Sequence, residues 1–288
     1  MIEAPSLRED GVDARVRRYA LFGHPLQGSR SPRIHALFGE QTGISLRYEA
    51  IAAQADGFAD RLQRFAEEGG RGANITTPLK NVAGSLCREL APRAQRCGVV
   101  NVLQRLDDGG WRGDNTDGEG FINDLCRRKE QDIRARRTLL LGAGGAVAGI
   151  LPLLLDAAVD EVVIAARRPE RADALALRVG KPGRVHSVYW NDLADHGLFD
   201  LVVNGTSAGK HGQQIDLPMR VLAPRAIAYD LNYGEFADGF LGWARAAGAI
   251  EAFDGLGMLV DQAAASFALW HGTEPDADAV YDALRSGG

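Results

Sequence analysis

Positive charge is not in excess in this sequence: 33 lysines and arginines stand against 38 aspartates and glutamates, a formal net charge of -5. Nucleic acid and membrane surfaces attract clustered surplus Lys and Arg, so neither is expected as a partner. Cysteine is scarce. Cys87, Cys97 and Cys126 form no CxxC pair and have no histidine nearby at ligand spacing, which argues against a disulfide scaffold and a zinc site. Buried free thiols in a reducing compartment are the expectation. The histidines, His24, His35, His186, His196, His211 and His271, show no ligand spacing either, and no metal is expected. No run approaches the ~20 apolar residues of a membrane span, and MIEAPSLREDGVDARVRR lacks the apolar stretch of a secretory signal. These absences predict a soluble cytoplasmic protein; a monomer or homodimer is expected, and residues 1–16, which precede any clear strand, read as a short disordered or capping extension.

What is abundant is glycine, 35 in 288 residues, gathered in short punctuating motifs. Such motifs mark strand-to-helix turns and close approaches of backbone to ligand. The length predicts two domains. From Val16, VRRYALF reads as a strand, SPRIHALFGEQTG as a helix that Ser31 caps ahead of Pro32, LRYEAIA as a strand, residues 54–68 as a helix and GANITTP as a strand. This alternation predicts βαβ units in a largely parallel sheet. A second series begins at Arg137, with later strands in FDLVVNGTSAG and RAIAYDLN, a helix in FLGWARAAG and long helical periodicity in GLGMLVDQAAASFALWHG. GDNTDGEG, residues 113–120, reads as the boundary between the two series, with a helix starting near Asp117 and a cleft beside it.

TLLLGAGGAVAGILPLLLDAAVDEVVIAARR carries strand, glycine turn, helix and strand in succession, the unit of a doubly wound dinucleotide fold. Gly142 permits the tight turn. Gly144 and Gly145, with Ala143 and Ala146, let backbone N–H groups approach a pyrophosphate at a helix N-terminus. An NAD site places an acid at the end of the second strand, where this chain has Ala166, Arg167 and Arg168, with Arg171 one turn on. Guanidinium groups suit a 2′-phosphate, so NADP(H) is the expected cofactor.

Ser29 and Ser31 in GSRSP, Asn74, Thr76 and Lys80 in GANITTPLK, Asn101 in VVN and Asp117 in GDNTDG fall at turns or strand ends. Each alone has a bland explanation as a cap, a turn residue or a solvated lysine. Together they form a set of hydroxyl, amide, ammonium and carboxylate groups at the carboxyl ends of strands, where open α/β sheets place ligands. The set suits a polyhydroxylated acid. Reduction of a ketone needs a proton at the developing alkoxide, which a lysine held by an aspartate can deliver.

In these motifs the sequence resembles the shikimate dehydrogenase family, from Tyr19 to about Pro275: GHPLQGSRSPRIH, GANITTPLK, VVN, GDNTDGEGF and DGLGMLVDQAA carry the resemblance. The resemblance implies reduction of 3-dehydroshikimate to shikimate, with Lys80 as acid/base residue and Asp117 as its partner. It implies that Ser29, Ser31, Thr76, Asn101, Tyr233 and Gln262 hold the substrate, and that Thr206, Leu231, Gly255 and Met258 border the cofactor. The family architecture is a discontinuous α/β substrate domain, here residues 1–117 and 255–288, plus a Rossmann-like doubly wound nucleotide domain, residues 118–254, with the cleft between them. Ala166-Arg167-Arg168 replaces the Asn-Arg-Thr common in the family. Two other readings stand beside this one: a quinate or shikimate dehydrogenase using NAD or an analogue-specific relative, and a catalytically silent nucleotide-binding protein.

Overall fold

The computed structural model describes residues 16–181, 183–213 and 215–287. All of the expected N-terminal extension except Val16 lies outside the described residues. Among the described residues the strands assemble into two sheets of six.

The first sheet comprises β1 (Arg17–Gly23), β2 (Leu46–Ala52), β3 (Gly70–Ile75), β4 (Glu89–Leu90), β5 (Val102–Arg105) and β6 (Trp111–Asp114), in the order β2-β1-β3-β5-β6-β4. Between its strands lie α1 (Ser31–Thr42), α2 (Phe58–Glu67), α3 (Lys80–Ala83) and α4 (Pro92–Cys97). The expected parallel pairing holds for the βαβ strands and also joins β4 to β6, with two antiparallel pairs making the sheet mixed. β1 pairs in parallel with β2 and β3, but β3 with β5 and β5 with β6 run antiparallel. β5 and β6 form a hairpin through Asp107-Asp108-Gly109-Gly110, where Gly109 at φ +95° takes the left-handed conformation that glycine accepts without a Cβ clash. Phe22, Phe58, Phe65, Ile75 and Leu103 fill the space between this sheet and its helices.

α5 (Asp117–Ile122) starts where GDNTDGEG turns, and continues as a π-helical segment over Asn123–Arg128. Phe121 fixes it, fully buried and edge-on to Tyr229 with ring centroids 5.0 Å apart. Burying a phenylalanine side chain stabilises by about 2–3 kcal/mol.

The second sheet is wholly parallel: β7 (Arg137–Leu141), β8 (Glu161–Ala166), β9 (Val185–Tyr189), β10 (Phe199–Asn204), β11 (Leu222–Asp230) and β12 (Glu251–Phe253), ordered β12-β11-β10-β7-β8-β9. Its apolar strands are buried on both faces by α6 (Gly145–Asp156), α7 (Pro169–Val179) and α8 (Glu235–Ala246). The order reverses between β7 and β10. Ligands bind at such a switch point, outside the carboxyl ends of the strands.

α9 (Leu256–His271) and α10 (Ala277–Ser286) pack on α1 through Ile34, Phe38, Val260, Ala263, Phe267 and Val280. Trp270 Nε1 donates to the Leu103 carbonyl at 3.0 Å, tying α9 to the first sheet. The Arg128 guanidinium joins the π-helical segment to α9 by two hydrogen bonds to Asp261, both 2.7 Å.

Candidate active site

Lys80 opens α3 directly after the turn that follows β3, and Asp117 opens α5 directly after β6. The two meet: Lys80 Nζ lies 2.8 Å from Asp117 Oδ1 and 2.6 Å from Oδ2. Their side chains are 13% and 4% exposed, so the pair is largely shielded from water. Asn101 Nδ2 donates to Asp117 Oδ1 at 2.9 Å and stands 3.3 Å from Gln262 Oε1, while Asn101 Oδ1 accepts the Thr116 N–H at 2.8 Å. The Asp117 N–H is taken by Asn115 Oδ1 at 3.0 Å. The carboxylate is thus held from its backbone and its side chain at once.

Glycines of the nucleotide turn have a second use here. Gly142, at φ +97°, makes the tight turn, and nothing lies within 4 Å of the Cβ position of Gly144, which leaves open space at the α6 N-terminus. Gly145 differs. A Cβ there would sit 2.9 Å from Lys80 Cβ, so its missing side chain makes room for the lysine stem. One turn on, a Cβ at Gly149 would come 2.8 Å from Asp117 Oδ2. The helix that begins at the glycine turn is therefore also the floor on which the lysine and aspartate rest.

A cavity of about 600 Å³ opens between the two sheets above this pair. Ser29, Ser31, Asn74, Thr76, Lys80 and Asp117 line it from the first sheet's side, and Ala146, Thr206, Leu231 and Tyr233 from the second's. Gly255, Met258 and Gln262, where β12 leads into α9, close it. Asn101 does not line it; it lies behind Asp117, 1% exposed. Ser31 is not the helix cap expected of it. It is the first residue of α1, no side chain caps that helix, and the Ser31 and Ser29 hydroxyls stand 3.4 Å apart. Tyr233 Oη accepts the Arg30 backbone N–H at 3.4 Å, so one side chain spans from the second sheet to the serine loop.

Sequence reasoning missed the groups that hold these loops. Asn204 and Asp230 end β10 and β11 side by side, with Asn204 Nδ2 donating to Asp230 Oδ2 at 2.9 Å. Asn204 Oδ1 accepts the Thr206 N–H and O–H, and Asp230 Oδ1 accepts the Asn232 N–H and Nδ2. The loops bearing Thr206, Leu231 and Tyr233 hang from this clamp. Burial pushes the Asp230 carboxyl up to about 7, against the pull of its hydrogen-bond donors. Asn74 is similarly held: its Oδ1 is 2.8 Å from Tyr48 Oη and 3.2 Å from His35 Nε2, and its Nδ2 donates to Ser266 Oγ at 2.9 Å. Burial drives the His35 pKa down to about 3, leaving it neutral. Strand-end asparagines and aspartates are the available signal, but only the register of the sheet says which neighbours they face.

Arg167, Arg168 and Arg171 follow β8 and are exposed. β8 pairs with β7, and the Gly142 N–H donates to the Ala165 carbonyl at 2.7 Å, so the arginines flank the glycine turn on the β8 side. The open helix N-terminus with exposed guanidinium groups beside it fits a phosphorylated dinucleotide. Cys97 is buried as expected, whereas Cys87 and Cys126 are only half-buried; all three are free. Among the described residues no group of three or more His, Cys, Asp or Glu side chains could hold a metal ion. No helix is long and apolar enough to cross a membrane among those residues.

A doubly wound sheet with a glycine turn, facing a lysine and carboxylate across a cavity from a second α/β sheet, defines the class of two-sheet dinucleotide-dependent oxidoreductases. Three family models match in succession: the shikimate dehydrogenase substrate binding domain over residues 21–103, shikimate / quinate 5-dehydrogenase over 124–215, and the shikimate 5'-dehydrogenase C-terminal domain over 255–285. The NADP(+) shikimate dehydrogenase of Xanthomonas euvesicatoria pv. vesicatoria is 54% identical over 273 residues, 94% of this chain and 96% of that one. The crystal structure of an Ael1 enzyme from Pseudomonas putida matches with TM-score 0.83 and 40% identity, over 93% of this chain and 98% of that one. Shikimate 5-dehydrogenase from Thermus thermophilus, in complex with NADP(H) and shikimate, matches with TM-score 0.79 and 31% identity, over 94% and 99%. The chain belongs to the shikimate dehydrogenase family.

Proposed function

We propose that this protein catalyses the reversible NADP-dependent reduction of 3-dehydroshikimate to shikimate, a step toward chorismate and the aromatic amino acids. The observation that carries the reading is the shielded contact of Lys80 with Asp117, resting on the helix that starts at the glycine turn. Relatives named as NADP-dependent shikimate dehydrogenases over nearly the whole chain support it.

The assignment of roles follows from chemistry. Backbone N–H groups of Gly142 to Ala146 hold the cofactor's diphosphate, and Arg167 and Arg168, with Arg171, hold its 2′-phosphate. Leu231, Gly255 and Met258, which line the cavity, would border the nicotinamide of NADPH, which would supply the hydride when bound. Lys80 Nζ delivers a proton to the ketone oxygen as the carbonyl carbon is reduced, and takes it back in the reverse direction. Asp117 accepts two hydrogen bonds from the ammonium and fixes its position. Ser29, Ser31 and Tyr233 take the substrate carboxylate, and Thr76, Asn101 and Gln262 order the hydroxyl side, Asn101 through Asp117. Residues 1–117 and 255–288 form the substrate unit and 118–254 the nucleotide unit.

Initial rates of NADP⁺ and of NAD⁺ reduction at matched concentrations, with shikimate and with quinate, test the reading. Activity with NADP⁺ and shikimate is expected to dominate. Dominant activity with quinate or NAD⁺ would replace it with the broader dehydrogenase, and NADPH binding without turnover would replace it with a silent relative.

A further inference from the structure

The cavity contains a second lysine. β10 ends beside β7, and the loop after it, starting at Gly205, comes back over the cavity. Gly209 in that loop is pressed on α8, since a Cβ there would run into the Phe236 carbonyl oxygen, and this contact fixes where the next residue leaves the backbone. That residue is Lys210. It is exposed to the cleft and lines the same cavity as Lys80, Ser29 and Tyr233. Among the described residues it makes no hydrogen bond or ion pair.

Its surroundings disfavour its charge. The protein around it holds the Lys210 pKa below the usual lysine value, the Lys80 ammonium adds to that effect, and the buried Asp230 only partly offsets it. Lys80 is already paired with Asp117, and the Glu235 carboxylate also lines the cavity, so Lys210, without such a partner among the described residues, is the ammonium that an arriving anion would serve. Topology narrows which anion. Arg167 and Arg168 flank the glycine turn on its β8 side, whereas Lys210 comes from β10 on the other side, away from any 2′-phosphate held by those arginines.

We infer that Lys210 is an anion-binding residue of the cleft, taking an oxygen of the cofactor diphosphate or of the substrate carboxylate. The inference builds on the functional reading above for the identity of those two ligands. In either position the side chain makes a charge-assisted hydrogen bond and links the second sheet to the bound pair.

Lys210→Met and Lys210→Arg test it beside the unaltered protein, with binding as the readout. NADPH affinity is measured by nicotinamide fluorescence, and shikimate affinity by calorimetry in the presence of NADPH, a pair that cannot react. Both are measured at low and high salt. Lys210→Met is expected to raise one of the two dissociation constants about tenfold at low salt and to flatten its salt dependence, with Lys210→Arg restoring most of the affinity. A change in the NADPH constant assigns the diphosphate; a change confined to shikimate assigns the carboxylate. Constants and salt dependences that stay within about twofold of the unaltered protein in both variants would overturn the inference. Unaltered protein that oxidises no shikimate, yet binds NADPH in a Lys210-dependent way, would sink the functional reading and keep this one.

Discussion

Lys80 and Asp117 each hold the other in place, so their removal should separate chemistry from binding. In Lys80→Ala the turnover number is expected to fall by about 10²-fold or more, the scale of a lost proton donor, while the NADPH dissociation constant moves little. Comparable losses in turnover and cofactor affinity would show that Lys80 serves the fold and not the proton. The arginines behave oppositely. With Arg167 and Arg168 both changed to Gln, the Michaelis constant for NADPH should rise about tenfold or more and that for NADH far less; equal effects on both cofactors would remove the 2′-phosphate assignment.

Asp230 makes a prediction about pH. Its carboxyl is fully buried and titrates near 7 in the fold, against about 3.9 in an unfolded chain. A group whose folded pKa is raised contributes stability below its unfolded value and loses that contribution as pH rises through its folded value. The protein should therefore lose stability relative to Asp230→Asn between about pH 4 and 7, by no more than about 4 kcal/mol. Melting temperatures of the two proteins across that range decide it: curves that stay parallel would mean that Asp230 does not titrate there.

Among the elements, α6 serves both the nucleotide turn and the lysine and aspartate. Gly149→Ala places a methyl group 2.8 Å from Asp117 Oδ2 and 3.1 Å from Asn115 Oδ1. A cost of about 1–3 kcal/mol in stability and a fall in turnover are expected, with cofactor affinity nearly unchanged because the turn itself is a helical turn away. Unfolding in urea and single-turnover rates would check both halves. A variant that is destabilised but fully active would mean that Asp117 yields without consequence.

The second sheet was legible in the sequence because its continuous apolar strands and its glycine turn are local signals. That Lys80 and Asp117 meet was expected because both fall in polar motifs after strand ends and because those motifs resemble the shikimate dehydrogenase family. The hairpin of β5 and β6 was not read, although Asp-Asp-Gly-Gly is a turn signal, because the short strand after it was absorbed into the polar stretch that follows. Ser31 looked like a cap because Ser before Pro usually is one; whether a hydroxyl caps or faces a cavity depends on the path of the preceding loop. Lys210 carried no signal, because a lysine in a glycine-bounded loop reads as solvated unless the opposite wall is known.

At the scale of the whole molecule, the cavity draws its walls from both sheets, and Tyr233 already reaches the Arg30 backbone across it. Ligands that fill this space add contacts that the unfolded chain lacks. NADPH and shikimate together, each at about 100 times its dissociation constant, should stabilise by about 2.7 kcal/mol per ligand, a rise of several degrees in melting temperature. Thermal melts with each ligand alone and with both would measure it, and a combined shift no larger than the larger single shift would mean that the two do not occupy the cleft together.

Re-engineering this protein to use a different coenzyme has an obvious starting point in the glycine turn and a better one elsewhere. Lys80 rests in the space that Gly145 leaves, so remodelling the turn would shift the lysine and, on the role proposed for it above, disturb proton delivery together with nucleotide choice. The arginine cluster after β8 is exposed and bears on neither Lys80 nor Asp117. If those arginines hold the 2′-phosphate as proposed, coenzyme preference can drift at these solvent-facing positions, in the laboratory or in descent, while the reaction itself stays untouched.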